Sequence, residues 1–343
     1  MRDAQPSARD DIRVAKIVRA TGPPARIQLI SRRVSFSLPA RRFGLHCFRV
    51  KRLIINADDF GLTAGVNRAI AEAHQRGVVT SASMMAAGAQ LDEAIALART
   101  LPQLSIGCHV DLIHLAPVSA PGQIPTLTKG ATFRPGFVRF ARAALRNRLS
   151  AAEITSEAAA QMAKLQSAGL ALTHFDTHKH THLFPRVLRP LLAAARMRGI
   201  RAVRNPFEPD PGVRFSQVSL RPKMLTRYCA VRALQSMAGK FRRIVEAEGL
   251  ATTDGTVGIV LTGFLNRSRL DALIRRIPDG TWELVTHPGY SDSALRPLSA
   301  LTASRETELV LLTSPDTRAL LRECGVELIS YRDLVTAATA PGA

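Results

Sequence analysis

The chain has 343 residues, about twice the commonest domain size, so it forms one large domain or two modest ones. With 46% hydrophobic and 22% charged residues, its composition excludes a disordered or collagen-like protein. No stretch approaches about 18 uninterrupted apolar residues, which argues against a membrane-spanning helix. The four cysteines stand far apart with no CxxC pair, so we expect neither a disulfide framework nor a thiolate zinc site, and we expect a reducing, cytoplasmic location.

The net charge of +20 raises the question of a nucleic-acid partner. Forty of the 47 basic residues are arginine, a bias that GC-rich coding produces without selection for nucleic-acid binding. No helix-turn-helix, zinc-finger or RNA-binding signature accompanies the charge, so we expect no nucleic-acid partner. Attraction to an anionic membrane surface is the alternative explanation of the positive charge. It predicts a peripheral location at the inner face of the plasma membrane.

The first 50 residues differ from the rest of the chain. They contain eleven basic and three acidic residues, little periodicity, and no signal-peptide pattern. The sequence predicts a basic segment over 1–50, either a disordered tail or an extension upstream of a true start at Val50. A folded domain is predicted over 51–335.

After Lys51, strands and helices alternate along the chain. Strands are predicted at 53–58, 79–87, 104–111, 173–180, 200–204, 257–262, 282–286 and 326–329. Helices are predicted at 64–76, 91–99, 186–198, 222–248, 267–276, near 305 and at 316–322, with a long ordered loop over 116–135 followed by helical segments to about 168. Such alternation indicates parallel strands joined by crossover helices. We therefore predict an α/β fold, an irregular TIM-like (β/α) barrel of about seven strands, rather than an open doubly wound sheet.

In such a barrel the functional site lies at the carboxyl ends of the strands. The first strand ends in two adjacent carboxylates, Asp58 and Asp59. Burying both is costly unless a cation compensates them, so the pair favours a metal site. The alternative is that one of them caps the following helix, as Asp often does.

His109 stands at the polar end of the third strand, where the alternatives are a metal ligand and a hydrogen-bonded buried histidine. Its neighbour Cys108 is predicted to be a small core residue on the opposite face.

The strongest signal is the segment 174–182, which contains four of the nine histidines. Asp176, His178, His180 and His182 alternate, so wherever the backbone stays extended they project to one side of the sheet. Imidazole is the commonest metal ligand in proteins, and this clustering favours metal binding over a structural accident. Three protein ligands with an open position are typical of a catalytic site, so not all four can bind one ion.

Two further residues follow later strands. His287 lies where the barrel mouth is expected, although a turn residue would look the same. Arg204 is placed to orient a carboxylate or a substrate oxygen, although in so arginine-rich a chain it is equally well an ordinary surface cation.

From Lys51 to about Pro288 the sequence resembles the YdjC-like (ChbG-type) carbohydrate deacetylases. The resemblance rests on Asn-Ala-Asp-Asp-Phe-Gly at 56–61, Val-Thr-Ser-Ala-Ser at 79–83, Ile-Gly-Cys-His at 106–109 and the histidine-rich stretch 173–182. Two segments are most similar in sequence to the hopanoid-biosynthesis-associated branch, the histidine-rich stretch and Arg-Ala-Val-Arg-Asn-Pro-Phe-Glu-Pro at 201–209. Cys108 departs from the larger apolar residue that relatives often have, and residues 1–50 have no family counterpart.

The resemblance implies a divalent ion held by Asp59, His109 and His178, with Asp58 as the neighbouring catalytic carboxylate. Either Mg²⁺ or Zn²⁺ suits this set of ligands. Asp58 is then the general base, and His287 is the candidate general acid, with His180 or His182 as substitutes. Asp176 is expected to orient a histidine ring through its second nitrogen.

The expected reaction is hydrolysis of the acetamide of an N-acetylated amino sugar, with N-acetylglucosaminyl hopanoid, a lipid-linked sugar, as the substrate that the branch resemblance implies. N-acetylated chito-oligosaccharides are the alternative substrate. A phosphoester hydrolase would want more carboxylates and a second metal, and a non-catalytic metal- or polyanion-binding barrel is the rival from another class. A homodimer is compatible with the sequence. The interval 221–243 is either an amphipathic membrane-surface helix or an ordinary core-facing one.

Overall fold

The computed structural model describes residues 50–210 and 218–339, so the predicted basic segment lies, except for Val50, outside the described residues. The strands are β1 Lys51–Phe60, β2 Ser81–Met84, β3 Ser105–Val110, β4 Thr128–Lys129, β5 Thr132–Phe133, β6 Leu172–Thr177, β7 Ala202–Val203, β8 Gly255–Val257, β9 Gly280–Thr286 and β10 Val326–Ile329. The α-helices are α1 Ala64–Gln75, α2 Leu91–Thr100, α3 Phe137–Leu145, α4 Ala151–Ser167, α5 Pro185–Met197, α6 Pro222–Leu234, α7 Ala238–Ala247, α8 Arg267–Arg275, α9 Ala303–Thr313, α10 Pro315–Glu323 and α11 Tyr331–Thr339.

Parallel pairing organises the main sheet, whose strand order is β7–β6–β3–β2–β1–β9–β8. The first half of β1 also pairs with β10, while its second half pairs with β2. At the open edges the Val203 N–H donates to the Ala251 carbonyl at 3.0 Å, and the Thr256 N–H donates to the Phe207 carbonyl at 3.0 Å. The sheet therefore curls into a half-barrel of seven parallel strands, which confirms the predicted TIM-like α/β fold.

Strand alternation divides the two faces of the sheet. Leu53 and Ile55 on β1 pack into the large core between the sheet and the helices, whereas Ile54 packs inside the barrel with Ala202 and Tyr331. Because the sheet is buried on both faces, its strands are apolar runs interrupted only where polar side chains point inward. Those inward polar side chains lie beyond Ile54 toward the carboxyl ends of the strands, and they build the site described below.

Helix starts follow from local hydrogen bonding. Side chains at the residue before the first turn accept a backbone N–H at the starts of four helices, α1 (Thr63), α4 (Ser150), α8 (Asn266) and α10 (Ser314). Since Thr63 caps α1, neither Asp58 nor Asp59 performs that role.

Several predicted boundaries were wrong. The strand predicted at 79–87 spans only Ser81–Met84. The strand predicted at 257–262 ends at Val257, because Gly258 takes φ 93° and turns the chain away. The predicted loop at 116–135 contains a 3₁₀ turn and the β4–β5 hairpin, and the helix predicted at 222–248 is divided by a 3₁₀ turn at Gln235–Met237.

The packing of α6 distinguishes the two predictions for 221–243, a membrane-surface helix and a core-facing helix. Its apolar side chains pack against the large core while remaining partly exposed, among them Leu225, Tyr228, Val231 and Leu234. This is the behaviour of a core-facing helix. Within the described residues, no helix combines the length and apolarity needed to cross a bilayer.

Candidate metal centre and active site

The end of β1 places two carboxylates in different surroundings. Asp58 and Asp59 are each only 3% exposed. Asp59 has φ 68°, a left-handed conformation that is strained for a residue other than glycine and that concentrates at functional sites. The two neighbours consequently contact different arginines, Asp58 with Arg204 and Asp59 with Arg305.

Three potential ligand atoms converge beside Asp59. Asp59 Oδ1 lies 3.5 Å from His109 Nε2 and 3.4 Å from His178 Nδ1, and the two histidine nitrogens are 3.3 Å apart. A cation with bonds of about 2.1 Å to tetrahedral ligands separates those ligands by about 3.4 Å. The spacing therefore fits one divalent cation at the centre of this group.

Hydrogen bonding gives a second test of the fit. Asp59 Oδ1 is buried and accepts no hydrogen bond, whereas Asp59 Oδ2 contacts the Arg305 guanidinium at 2.5 Å. A buried carboxylate oxygen without a partner is costly unless a cation binds it. Burial acts to raise the pKa of Asp59, but Arg305, His178 and His109 hold it well below its usual range, so the oxygen is an anionic ligand.

Asp176 orients the first histidine of the group. Its Oδ1 lies 2.8 Å from His109 Nδ1, which leaves His109 Nε2 directed at Asp59. The Ser83 hydroxyl donates to Asp176 Oδ2 at 3.0 Å, and Arg204 contacts the same oxygen at 2.5 Å. Carboxylates that fix the second nitrogen of a metal-binding histidine in this way set its ring orientation and raise its basicity. Burial acts to lower the pKa of His109, but Asp176 and Asp58 outweigh it and raise that pKa to about 9.

Arg204 lies at the centre of the inward polar layer and is fully buried. Its guanidinium donates to both oxygens of Asp58, at 2.9 and 2.6 Å, and to Glu283 at 2.8 Å. Burial acts to raise the pKa of Asp58, but the attraction and hydrogen bonds of Arg204 bring it below its ordinary value. Arg204 thus orients carboxylates and, being buried, is not exposed to a substrate.

A second cluster with ligand-like spacing consists of Asp58, His109 and Asp176. Arg204 already contacts both carboxylates of this cluster. A cation placed there would meet the guanidinium charge, so the group around Asp59 is the better cation site.

His287 follows β9 and faces the same space. Its Nε2 lies 3.9 Å from Asp58 Oδ2, its Nδ1 is buried without a hydrogen-bond partner, and its backbone N–H donates to Glu308 at 2.6 Å. Burial lowers the pKa of His287 to about 4, so the ring is neutral at pH 7 in the absence of substrate. At 3.9 Å the ring and the carboxylate do not hydrogen-bond directly, but a single water between them would link the two for proton transfer.

The predicted alternation of histidines along β6 fails after Thr177. His178 begins a 3₁₀ turn, and Lys179 and His180 take φ of 55° and 53°. His182 is consequently buried elsewhere, with Nδ1 at 2.7 Å from the Thr177 hydroxyl and Nε2 at 3.2 Å from the Arg204 carbonyl. His180 packs edge-on against His182, with ring centroids 6.2 Å apart. The turn brings His178 to the metal group and ends the alternation, while His180 still feels the charges of Asp58 and Asp176 and keeps a buried Nδ1 without a hydrogen-bond partner.

Sequence reasoning missed three residues of the site. Arg305 lies on α9, far along the chain from Asp59, and no local pattern distinguishes it from the other arginines. Glu283 is a charged residue inside an apolar strand, and strand alternation could have placed it inside the barrel. His114 stacks on His178 with ring centroids 5.1 Å apart, and its position three residues after Asp111 at the end of a strand was the available signal.

Comparisons with known proteins identify the family of this chain. The family model described as YdjC-like protein matches residues 52–323. The chain belongs to the YdjC-like family. A carbohydrate deacetylase of Geobacillus stearothermophilus is 33% identical over 285 residues, covering 82% of this chain and 96% of the relative. A carbohydrate deacetylase of Brevibacillus brevis is 30% identical over 285 residues, covering 82% of this chain and 99% of the relative. A crystal structure from Enterococcus faecalis V583, of a protein named for cellobiose-phosphate cleavage, superposes with a TM-score of 0.66 at 25% identity, covering 83% of this YdjC-like chain and 99% of the other.

Proposed function

We propose that this YdjC-like protein is a metal-dependent carbohydrate N-deacetylase that hydrolyses the acetamide of an N-acetylated amino sugar to acetate and a free amine. The observation that carries the proposal is the convergence of Asp59 Oδ1, His109 Nε2 and His178 Nδ1 within 3.5 Å of one another, beside a carboxylate and a neutral histidine. The names of the relatives supply the substrate class.

A divalent ion held by these three residues, Mg²⁺ or Zn²⁺, would polarise the acetyl carbonyl and make water acidic enough to attack at neutral pH. Asp58 is the general base that accepts the proton of the attacking water. Because Arg204 holds both of its oxygens and keeps its pKa low, Asp58 is ionised and fixed in orientation before the substrate arrives.

His287 is the general acid for the departing amine. Its low pKa means that it does not hold a proton before the reaction begins. Asp58 Oδ2 and His287 Nε2 are 3.9 Å apart, which is too far for a direct hydrogen bond but within reach through one water. The proton that Asp58 accepts is therefore relayed through a water to His287 and then passes to the sugar nitrogen as the C–N bond breaks. One proton thus leaves water and reaches the amine, and both residues return to their starting states. Neither nitrogen of His182 is free for this role.

For the substrate we propose N-acetylglucosaminyl hopanoid, supported by the similarity of 173–182 and 201–209 to the hopanoid-associated branch. We propose that the domain at 51–335 performs the reaction in the cytoplasm or at the inner membrane face, where it would meet a lipid-linked substrate. N-acetylated chito-oligosaccharides are the alternative substrate. A two-metal phosphoesterase is disfavoured because Arg204 already contacts both carboxylates of the second cluster.

The test is acetate release by protein that is stripped of metal and reloaded with Zn²⁺, Mg²⁺, Co²⁺ or Mn²⁺. Both candidate substrates are supplied to the wild type, to Asp59→Asn and to His178→Gln. His74→Gln is the matched control, because His74 is a histidine of α1 that bonds the Val79 carbonyl away from the site. Metal-restored release that both site variants lose and the control retains is expected. A folded, metal-loaded protein that releases no acetate from either substrate would overturn the proposal.

A further inference from the structure

A basic surface lies apart from the metal centre. The interval 112–152 contains six basic residues and no Asp or Glu. Most of these cations border a groove of about 840 Å³ beside α3, namely Arg134, Arg139, Arg142, Arg146 and Arg148. Glu153, the first acidic residue beyond the interval, accepts hydrogen bonds from Thr126. The charge of this groove is therefore uncompensated along the chain.

The helix α3 has two unlike faces. Phe140 and Ala144 are buried, and the ring of Phe137 lies 6.2 Å from that of Phe184. The opposite face exposes 62% of Val138 and 68% of Leu145, two residues seven apart that share one side of the helix. The side chains of Arg142 and Arg146 are exposed on the same side. We call this outward set, with Arg139, the α3 surface.

The α3 surface lies at the same end of the barrel as the metal centre. Phe184, which Phe137 contacts, directly follows the 3₁₀ turn His178–Leu183. That turn begins with the candidate metal ligand His178 at the carboxyl end of β6. The first turn of α3 therefore lies near the end of the barrel that holds the metal centre.

We propose that the α3 surface binds an anionic lipid bilayer. Exposed aliphatic side chains interspersed with arginines are what an interfacial helix presents to the headgroup region, where the apolar groups enter and the cations meet anionic headgroups. A nucleic-acid or other polyanion site would use the arginines but gain little from Val138 and Leu145. Charge and apolar exposure together thus favour the bilayer. That such docking would bring a lipid-linked amino sugar to the site rests on the proposed function, whereas the bilayer binding itself does not.

The test is co-sedimentation of the full chain with vesicles of phosphatidylglycerol and phosphatidylcholine, against vesicles of phosphatidylcholine alone. We expect binding to the anionic vesicles that weakens as salt is raised. The double variant Arg142→Glu/Arg146→Glu is expected to bind at least about tenfold more weakly. Arg243→Glu/Arg322→Glu, a charge-matched pair of exposed arginines on α7 and α10, is expected to bind like the wild type.

Two further measurements separate this surface from other sources of binding. Amide hydrogen exchange in the presence of anionic vesicles is expected to protect 134–148, which binding through the basic segment 1–50 alone would not do. Val138→Ser/Leu145→Ser is expected to weaken vesicle binding at least about threefold while leaving heparin binding unchanged.

Three results would overturn the proposal. They are an equal loss of vesicle binding in the two arginine double variants, no protection of the amides of 134–148 from hydrogen exchange, and binding of the wild type to heparin but not to anionic vesicles. Vesicle binding is measured without turnover, and acetate release from soluble chito-oligosaccharides is expected to be unchanged in all these surface variants. A failure of the bilayer proposal is therefore distinguishable from a failure of the deacetylase proposal.

Discussion

Replacing Arg204 with methionine removes a cation that Asp58, Asp176 and Glu283 share inside the barrel. Removing one partner of a buried ion pair costs about 3–5 kcal/mol, because the remaining charge is left uncompensated. Since three buried carboxylates lose their partner here, we expect a loss of about 5 kcal/mol in the free energy of unfolding, a large part of the roughly 5–15 kcal/mol typical of a domain. Urea denaturation monitored by circular dichroism measures this loss.

Arg204→Lys is the matched variant, because it keeps the positive charge but removes the planar guanidinium with its several N–H donors. A lysine ammonium donates from a single point, so it cannot hold both oxygens of Asp58 as well as Asp176 and Glu283. We expect Arg204→Lys to lose about 1–3 kcal/mol, the value of hydrogen bonds to charged groups, and to remain folded.

The same variant tests the role of Asp58. Burial acts to raise the pKa of Asp58, and Arg204 is the main influence that opposes it. Loosening that contact raises the pKa of the base, so the acid limb of the kcat/KM profile is expected to move to higher pH in Arg204→Lys. An unmoved acid limb, or a stability loss below about 1 kcal/mol in Arg204→Met, would refute the role assigned to this guanidinium.

His287, His109 and Glu208 give three further predictions. His287→Gln is expected to lower kcat by about 10²–10⁴-fold with little change in KM or in the urea midpoint, because the general acid is removed while Glu308 still bonds the backbone N–H; steady-state kinetics and denaturation measure both. The metal affinity measured by calorimetry is expected to rise about tenfold per pH unit between pH 6.5 and 9, because His109, with a pKa of about 9, must release its proton to bind the ion. A pH-independent affinity would contradict this. Burial raises the pKa of Glu208 to about 7, so the stability that its neutral form contributes is lost as pH rises from about 4.5 to 7. Between pH 5 and 7.5 the free energy of unfolding is therefore expected to fall less in Glu208→Gln than in the wild type, as urea denaturation at the two pH values measures. Equal losses in the two proteins would contradict the assignment.

The sequence predicted those parts of the site that depend on local strand order. Asp58, Asp59 and His109 end parallel strands, and the carboxyl ends of such strands necessarily meet at one end of a barrel. His178 begins the turn directly after β6 and so falls at the same place. Alternation along β1 likewise separates the core-facing side chains from those inside the barrel, which a period of two predicts.

The parts that could not be predicted depend on long-range packing or on backbone conformation. Arg305 contacts Asp59 across 246 residues, and nothing in its own helix indicates that contact. The positive φ of Lys179 and His180 breaks the alternation that predicted Asp176, His178, His180 and His182 on one side of an extended strand. Non-glycine residues rarely take that conformation, so the sequence favoured a continuing strand.

Binding of one divalent ion between Asp59, His109 and His178 is tested most directly by an anomalous-scattering crystal structure of the protein loaded with Zn²⁺ or Mn²⁺, ions with a strong anomalous signal. We expect a single anomalous peak about 2.0–2.3 Å from Asp59 Oδ1, His109 Nε2 and His178 Nδ1. A peak between Asp58 and Asp176 instead, or no peak in a folded protein soaked with saturating metal, would contradict the account.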